Sequence, residues 1–95
     1  MAEREAIYVI SYDISSDRLR RRVSERLERL GTRVQYSVFE LRMTRSKARR
    51  LVESLSASLE GDDTVRCYLV ASQALKDCIA VGGAPIPERQ AFWIV

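Results

Sequence analysis

Asp13 is the residue in this chain best placed to do chemistry. It follows directly on residues 6–12, a run of β-branched and aromatic side chains without Gly or Pro that reads as a strand. It precedes Ile14-Ser15-Ser16, where a helix begins. A carboxylate in that position stands on a rigid support close to backbone amides. One Asp can give an oxygen to Mg²⁺, an ion that keeps most of its waters and needs few protein ligands. A single chain falls short of a two-metal site, but two chains related by a dyad would join two copies of Asp13 in one composite site. An Asp before a helix is also a capping residue through an Asx-turn, and both readings stand. Histidine is absent, which removes Ser-His and Cys-His pairs, HExxH zinc sites and any imidazole base. Ser11, Ser15, Ser16 and Ser37 therefore lack a base and read as turn and cap residues. Cys67 and Cys78 are too few for a disulfide framework or a four-ligand zinc site, and read as small buried hydrophobes. Asp17, Asp62 and Asp63 read as structural, Asp17 in a helix first turn where the dipole favours it.

The cations form the second group. Sixteen Lys and Arg face thirteen Asp and Glu over 95 residues, a net charge of +3. The balance is uneven: residues 1–50 carry +6 and residues 51–95 carry −3. Fourteen of the sixteen are Arg, the side chain that contacts phosphate bidentately and stacks on bases. Arg18, Arg20, Arg21, Arg22, Arg26 and Arg29 crowd the first helix. Arg21–Glu25 and Glu25–Arg29 have the spacing of ion pairs along a solvated face. Arg18, Arg20 and Arg22 have no acid four residues onward. A second helix opens on Arg45 and Lys47, against its own dipole, and a positive helix start with free amides is an anion site. Together the two helices suggest a phosphate-binding surface.

The elements that position these groups follow from periodicity. Residues 6–12 are apolar on both parities through Ile10, as in a strand covered on both faces. Leu19, Val23, Leu27 and Leu30 form one helical stripe, which Gly31 ends at the position of a C-cap glycine. Residues 32–43 are extended. Val34 and Tyr36 share one parity and Phe39, Leu41 and Met43 the other, so a tight turn or bulge near Ser37 splits the segment into two strands. Thr44 caps a second helix that buries Ala48, Leu51, Val52, Leu55 and Leu59. Residues 64–70 make a strand, 72–76 a short turn or helical piece, 78–81 a weak strand, and the chain ends in apolar residues 91–95.

This order is β-α-β-β-α-β with one or two short C-terminal strands. It is the ferredoxin-like α+β sandwich of two split βαβ units, with both helices on one face of a four-stranded sheet. Residues 1–83 form the domain, and residues 84–95 an extended tail whose terminal strand is available for exchange with a partner subunit. The bare sheet face and the stranded apolar terminus predict a homodimer. The hydrophobic share is 46% and the charged share 31%, the composition of a folded globular chain. No uninterrupted apolar run exceeds five residues. With no signal-like start either, a cytoplasmic location away from membranes is expected.

Tyr8-Val-Ile-Ser-Tyr-Asp-Ile-Ser15, the pair Arg20 and Arg22, and Gly31-Thr-Arg-Val-Gln-Tyr-Ser-Val-Phe-Glu40 closely resemble the CRISPR-associated Cas-two family. Val65-Arg-Cys-Tyr-Leu and Val81-Gly-Gly fit it too, so the resemblance spans nearly the whole chain. It implies a ferredoxin-like homodimer that works in spacer acquisition, bridging two dimers of the Cas-one integrase and holding the incoming DNA. It also implies a metal-dependent endonuclease acting on single-stranded RNA or duplex DNA, with Mg²⁺, or alternatively Mn²⁺, as cofactor. The family's metal-binding Asp falls on Asp13. Its functional basic and aromatic positions fall on Tyr12, Arg20, Arg22, Arg33 and Phe39. Two functions are thereby expected in competition: a phosphodiesterase built at the dyad, and a non-catalytic scaffold that clamps nucleic acid between integrase dimers. An RNA-recognition module is disfavoured, because the basic-Gly-aromatic signature of that fold is absent.

Overall fold

The computed structural model describes residues 3–87. Its elements are β1 (Glu5–Asp13), α1 (Asp17–Leu30), β2 (Gly31–Gln35), β3 (Val38–Thr44), α2 (Arg45–Ser56), β4 (Thr64–Val70) and a 3-10 turn (Ser72–Asp77). The strands form one sheet in the order β2-β3-β1-β4, and all three pairings are antiparallel. This is the expected ferredoxin-like arrangement, with β1 inside the sheet.

Strand pleating divides β1 between two environments. Tyr8, Ile10 and Tyr12 face the helices, in one core with Val23 and Leu27 of α1, Phe39, Leu41 and Met43 of β3, and Ala48, Leu51 and Leu55 of α2. Phe39, Ile10, Leu27 and Leu41 are 0% exposed. Burying each contributes about 1.5–3 kcal/mol. On the opposite face Ile7 packs with Leu75 of the 3-10 turn, flanked by Val70 and Ile86. The register places Val9, Ser11, Glu40, Val38, Arg66 and Tyr68 on the remainder of that face. The uncovered surface is thus a mixture of polar and apolar groups, with its apolar end sealed by the chain's own C-terminal side.

The parity switch between Tyr36 and Phe39 is a two-residue turn, Tyr36-Ser37, with a register shift between Arg33 and Gln35. Among the serines read as turn and cap residues, Ser16 caps α1: its Oγ accepts from Leu19 N–H at 3.2 Å. Thr44 Oγ1 accepts from Lys47 N–H at 3.2 Å and caps α2. The helix ends at Ser56, so Leu59 packs against the core from beyond it.

Four expectations change. Gly31 does close α1, donating its N–H to Leu27 O, but its φ of −162° and ψ of −154° are extended. Its small size is needed for space, since a Cβ there would sit 2.8 Å from Leu41 Cγ and closer still to Glu40 O. Residues 78–81 are not a strand and pair with none of β1–β4. Cys78 is exposed and Cys67 half-buried, because Cys78 follows the 3-10 turn out into solvent. The amides opening α2 are not free, as Ser46 N–H donates to Glu3 Oε1 at 3.2 Å. The terminal strand and most of the tail, including residues 91–95, lie outside the described residues.

Candidate functional site

The C-terminal end of β1, the start of α1 and the β2–β3 turn enclose an open cleft of about 650 Å³. Tyr12, Asp13, Asp17, Arg20, Arg33 and Tyr36 are among the residues that line it. Asp13 is exposed on its rim. It is the last residue of β1 and pairs in register with Thr64 of β4, so the sheet fixes its backbone.

The loop after Asp13 is tied down from two directions. Asp63 accepts from Ser15 N–H at 3.0 Å and from Glu60 N–H at 3.1 Å. The Ser15 and Glu60 backbone hydrogen bonds hold the Asp63 carboxyl below its usual range. From the other side, Arg20 donates to Ile14 O at 2.7 Å, to Ser15 O at 3.5 Å, and to the Asp17 carboxylate. Arg20 therefore does have an acid partner, three residues back. Its guanidinium shapes the loop that carries Asp13 while facing the cleft.

Arg33 reaches the same cleft from β2. Glu28 Oε1 pairs with it at 2.8 Å, and its guanidinium lies 5.2 Å from the Phe39 ring centroid and 5.9 Å from that of Tyr36. Phe39 is fully buried and stacks on Tyr12 with centroids 6.3 Å apart. Both rings are enclosed, so they brace the cleft from beneath and have almost no surface to offer a ligand. Tyr12 also donates from its hydroxyl to Tyr36 O at 3.3 Å and from its amide to Ser37 O at 3.1 Å. These two bonds lock the turn to the end of β1.

The structure thus brings Tyr12, Asp13, Arg20, Arg33 and Phe39 into one corner. Arg22 is elsewhere. Two residues along a helix turn a side chain by about 200°, and Arg22 lines a groove between α1 and α2 with Arg26, Arg29 and Ser54. There Arg26 donates to Ser54 Oγ at 2.6 Å. The anticipated Arg21–Glu25 and Glu25–Arg29 pairs do not form among the described residues, where Arg20 pairs with Asp17 and Arg33 with Glu28. Sequence reasoning also missed Tyr36, and it read Asp63 as structural without finding its partner Ser15. Tyr36 had a signal, since it stands where strand parity breaks. Asp63 had none, because its partner lies 48 residues away.

The donor set bears on a metal. Among the described residues no three His, Cys, Asp or Glu side chains cluster as a metal site. Of the two carboxylates that line the cleft, Asp17 is paired with Arg20, which leaves Asp13 as the exposed hard oxygen ligand, of the kind Mg²⁺ takes singly. The residues fit a weakly held, largely hydrated ion whose further protein ligand would come from a second copy. No helix among the described residues is long and apolar enough to cross a membrane.

Residues 6–77 match the family model described as CRISPR associated protein Cas2. The chain is 37% identical over 90 residues to the CRISPR-associated endoribonuclease Cas2 3 of Synechocystis sp., covering 94% of this chain and 98% of that one. It superposes on the hypothetical protein TT1823 from Thermus thermophilus with a TM-score of 0.72 at 33% identity, covering 88% of this chain and 99% of the other. A chain of the structure titled partial Cas6-RT-Cas1–Cas2 complex gives a TM-score of 0.67 at 28% identity, with coverage of 87% and 98%.

Proposed function

Since this chain belongs to the CRISPR associated protein Cas2 family, we propose that it serves CRISPR adaptation in the cytoplasm as a nucleic-acid-binding homodimer with metal-dependent endonuclease activity. The observation that carries this reading is Asp13: an exposed carboxylate at the end of a buried strand, on the rim of a cleft that also holds Arg20 and Arg33. The endoribonuclease name of the Synechocystis relative supports it.

Asp13, with a second copy of itself across a dyad, would hold Mg²⁺ or Mn²⁺. When bound, the ion supplies Lewis-acid polarisation of the phosphoryl group and a more acidic water. The chain's own residues do the rest. Arg33 places a fixed positive charge beside the scissile phosphate and neutralises developing charge. Arg20 and Asp63 keep the Asp13 loop from yielding. Tyr12 and Phe39 hold the β2–β3 turn in place. Arg22, in its separate groove with Arg26 and Arg29, would bind phosphates of flanking nucleic acid, without sequence preference and with steep salt dependence.

A nuclease assay tests this. Parent protein should cleave single-stranded RNA or duplex DNA with Mg²⁺, and EDTA or Asp13→Asn should abolish cleavage. Retained cleavage in the variant would remove Asp13 from the mechanism.

The second reading is a scaffold that bridges Cas1 integrase dimers. Two observations favour it: the resemblance to a chain from a Cas1–Cas2 complex, and a cleft in which Asp13 is the carboxylate left outside the Arg20–Asp17 ion pair. Under this reading Asp13→Asn keeps DNA binding and spacer acquisition, whereas Arg-to-Ala changes abolish both.

A further inference from the structure

Neither the fold nor the proposed chemistry explains the placement of Tyr36 in the cleft. It is 89% exposed at the tip of the β2–β3 turn, an aromatic ring left almost wholly in water. We propose that Tyr36, backed by Arg33, is a stacking platform for one unpaired nucleobase, so that the Asp13 cleft selects single-stranded nucleic acid. This inference rests on reading the cleft as a nucleic-acid site.

The ring is exposed but its base is fixed. The Tyr12 hydroxyl donates to Tyr36 O at 3.3 Å and the Tyr12 amide to Ser37 O at 3.1 Å. Tyr12 is itself 6% exposed and stacked on Phe39, so the turn hangs from the core. Arg33 stands between the two rings, 5.2 Å from the centroid of Phe39 and 5.9 Å from that of Tyr36. Glu28 holds it there at 2.8 Å. A platform held this way loses little freedom when a base settles on it.

The chemistry selects the ligand. Every base has a π face, so an aromatic ring stacks on any of them, and an adjacent guanidinium adds both cation–π attraction and charge for the phosphate. A base inside a duplex has both faces covered by its neighbours. A splayed base in a single strand has a free face, which is how aromatic side chains commonly take RNA. The same cleft holds Asp13 and Arg20, so the strand anchored on Tyr36 is the strand presented to the carboxylate.

The test uses the full-length protein and a single-stranded oligonucleotide carrying 2-aminopurine, whose fluorescence falls when the base stacks on an aromatic ring. Parent protein and Tyr36→Phe should quench the probe. Tyr36→Ala and Tyr36→Leu should lose the quenching and weaken single-strand affinity about tenfold, the scale of one base–aromatic stack, with a smaller loss for a duplex of the same sequence. Equal losses for both substrates, or full quenching in Tyr36→Leu, would overturn the inference. So would dissociation of a parent dimer by both Tyr36→Ala and Tyr36→Leu in sedimentation, which would make Tyr36 a subunit contact. If these variants behave as parent while Asp13→Asn still abolishes Mg²⁺-dependent cleavage, only the platform falls. If the parent binds no oligonucleotide at all, the nucleic-acid reading of the cleft falls with it.

Discussion

Replacing Gly31 with Ala should destabilise the fold and weaken the cleft together. Gly31 has an extended backbone, so Ala meets no conformational strain and only space is at issue. An added Cβ would lie 2.8 Å from Leu41 Cγ and 3.1 Å from Leu41 Cα, and nearer still to Glu40 O. Two of those three atoms are backbone of β3, paired in register with Gly31 and Thr32, and neither can swing aside. The methyl group must push β2 away from β3. Overpacking of this kind costs about 1–3 kcal/mol. The Ala chain gains roughly 0.4–1 kcal/mol from a less flexible unfolded state where the new residue fits, which here offsets part of the loss. The net is about 1–2 kcal/mol, or roughly 5–15 °C in Tm for a domain of this size. Thermal unfolding by circular dichroism at matched concentration reads it, since the proposed dimerisation would make Tm concentration-dependent. Because β2 carries Arg33 and leads into Tyr36, single-strand binding should fall as well. A Tm equal to or above the parent's would refute the close-approach argument.

Arg20→Ala should lower Tm and cleavage together, because it removes the bonds to Ile14 O, Ser15 O and Asp17. Arg22→Ala should leave Tm unchanged and reduce the slope of log affinity against log salt for duplex DNA by about 0.9, the effect of one phosphate contact. The Asp63 tether has a pH signature. Its carboxyl is held below the usual value of 3.8, so its stabilising effect is fully present above that value and is lost as pH falls through the lowered one. An NMR titration should therefore give one midpoint below 3.8 for the Asp63 carboxyl and the Ser15 amide, and a midpoint at or above it contradicts the tether. Iodoacetamide should alkylate exposed Cys78 before Cys67, whose thiol pKa is raised by burial. Equal rates by mass spectrometry would contradict that order.

How far the sequence carries the fold is clearest at its two turns. The break at Ser37 was readable because strand parity is a local property: Tyr36 and Phe39 cannot point the same way without an inserted turn. The helix stripes, a cap at Ser15 or Ser16, the cap at Thr44 and the central position of β1 were readable for the same reason. Gly31 shows the limit. A glycine after a helical stripe has the pattern of a left-handed cap, and only the β3 backbone lying against it reveals that space is the constraint. Arg20 was read against residues ahead of it, whereas its partners are behind, at Ile14, Ser15 and Asp17. Asp63 joins Ser15 across 48 residues, a pairing that periodicity cannot encode. Cys78 looked buried because its neighbours are apolar, and it is exposed because those neighbours cover nothing. Of the cleft, the place of Asp13 at the end of β1 was legible from strand and turn chemistry alone. Tyr12, Arg33 and Phe39 came from family resemblance, and the structure adds how they brace one another.

The proposed function requires Asp13 to hold a divalent ion jointly with a second copy of itself. Titration of the full-length protein with Mn²⁺, read by electron paramagnetic resonance of the free ion and paired with sedimentation to establish the dimer, tests it most directly. One ion should bind per two chains, Mg²⁺ should compete with it, and binding should be lost in an Asp13→Asn dimer that still sediments as the parent does. One ion per chain, or binding unchanged in Asp13→Asn, would contradict it.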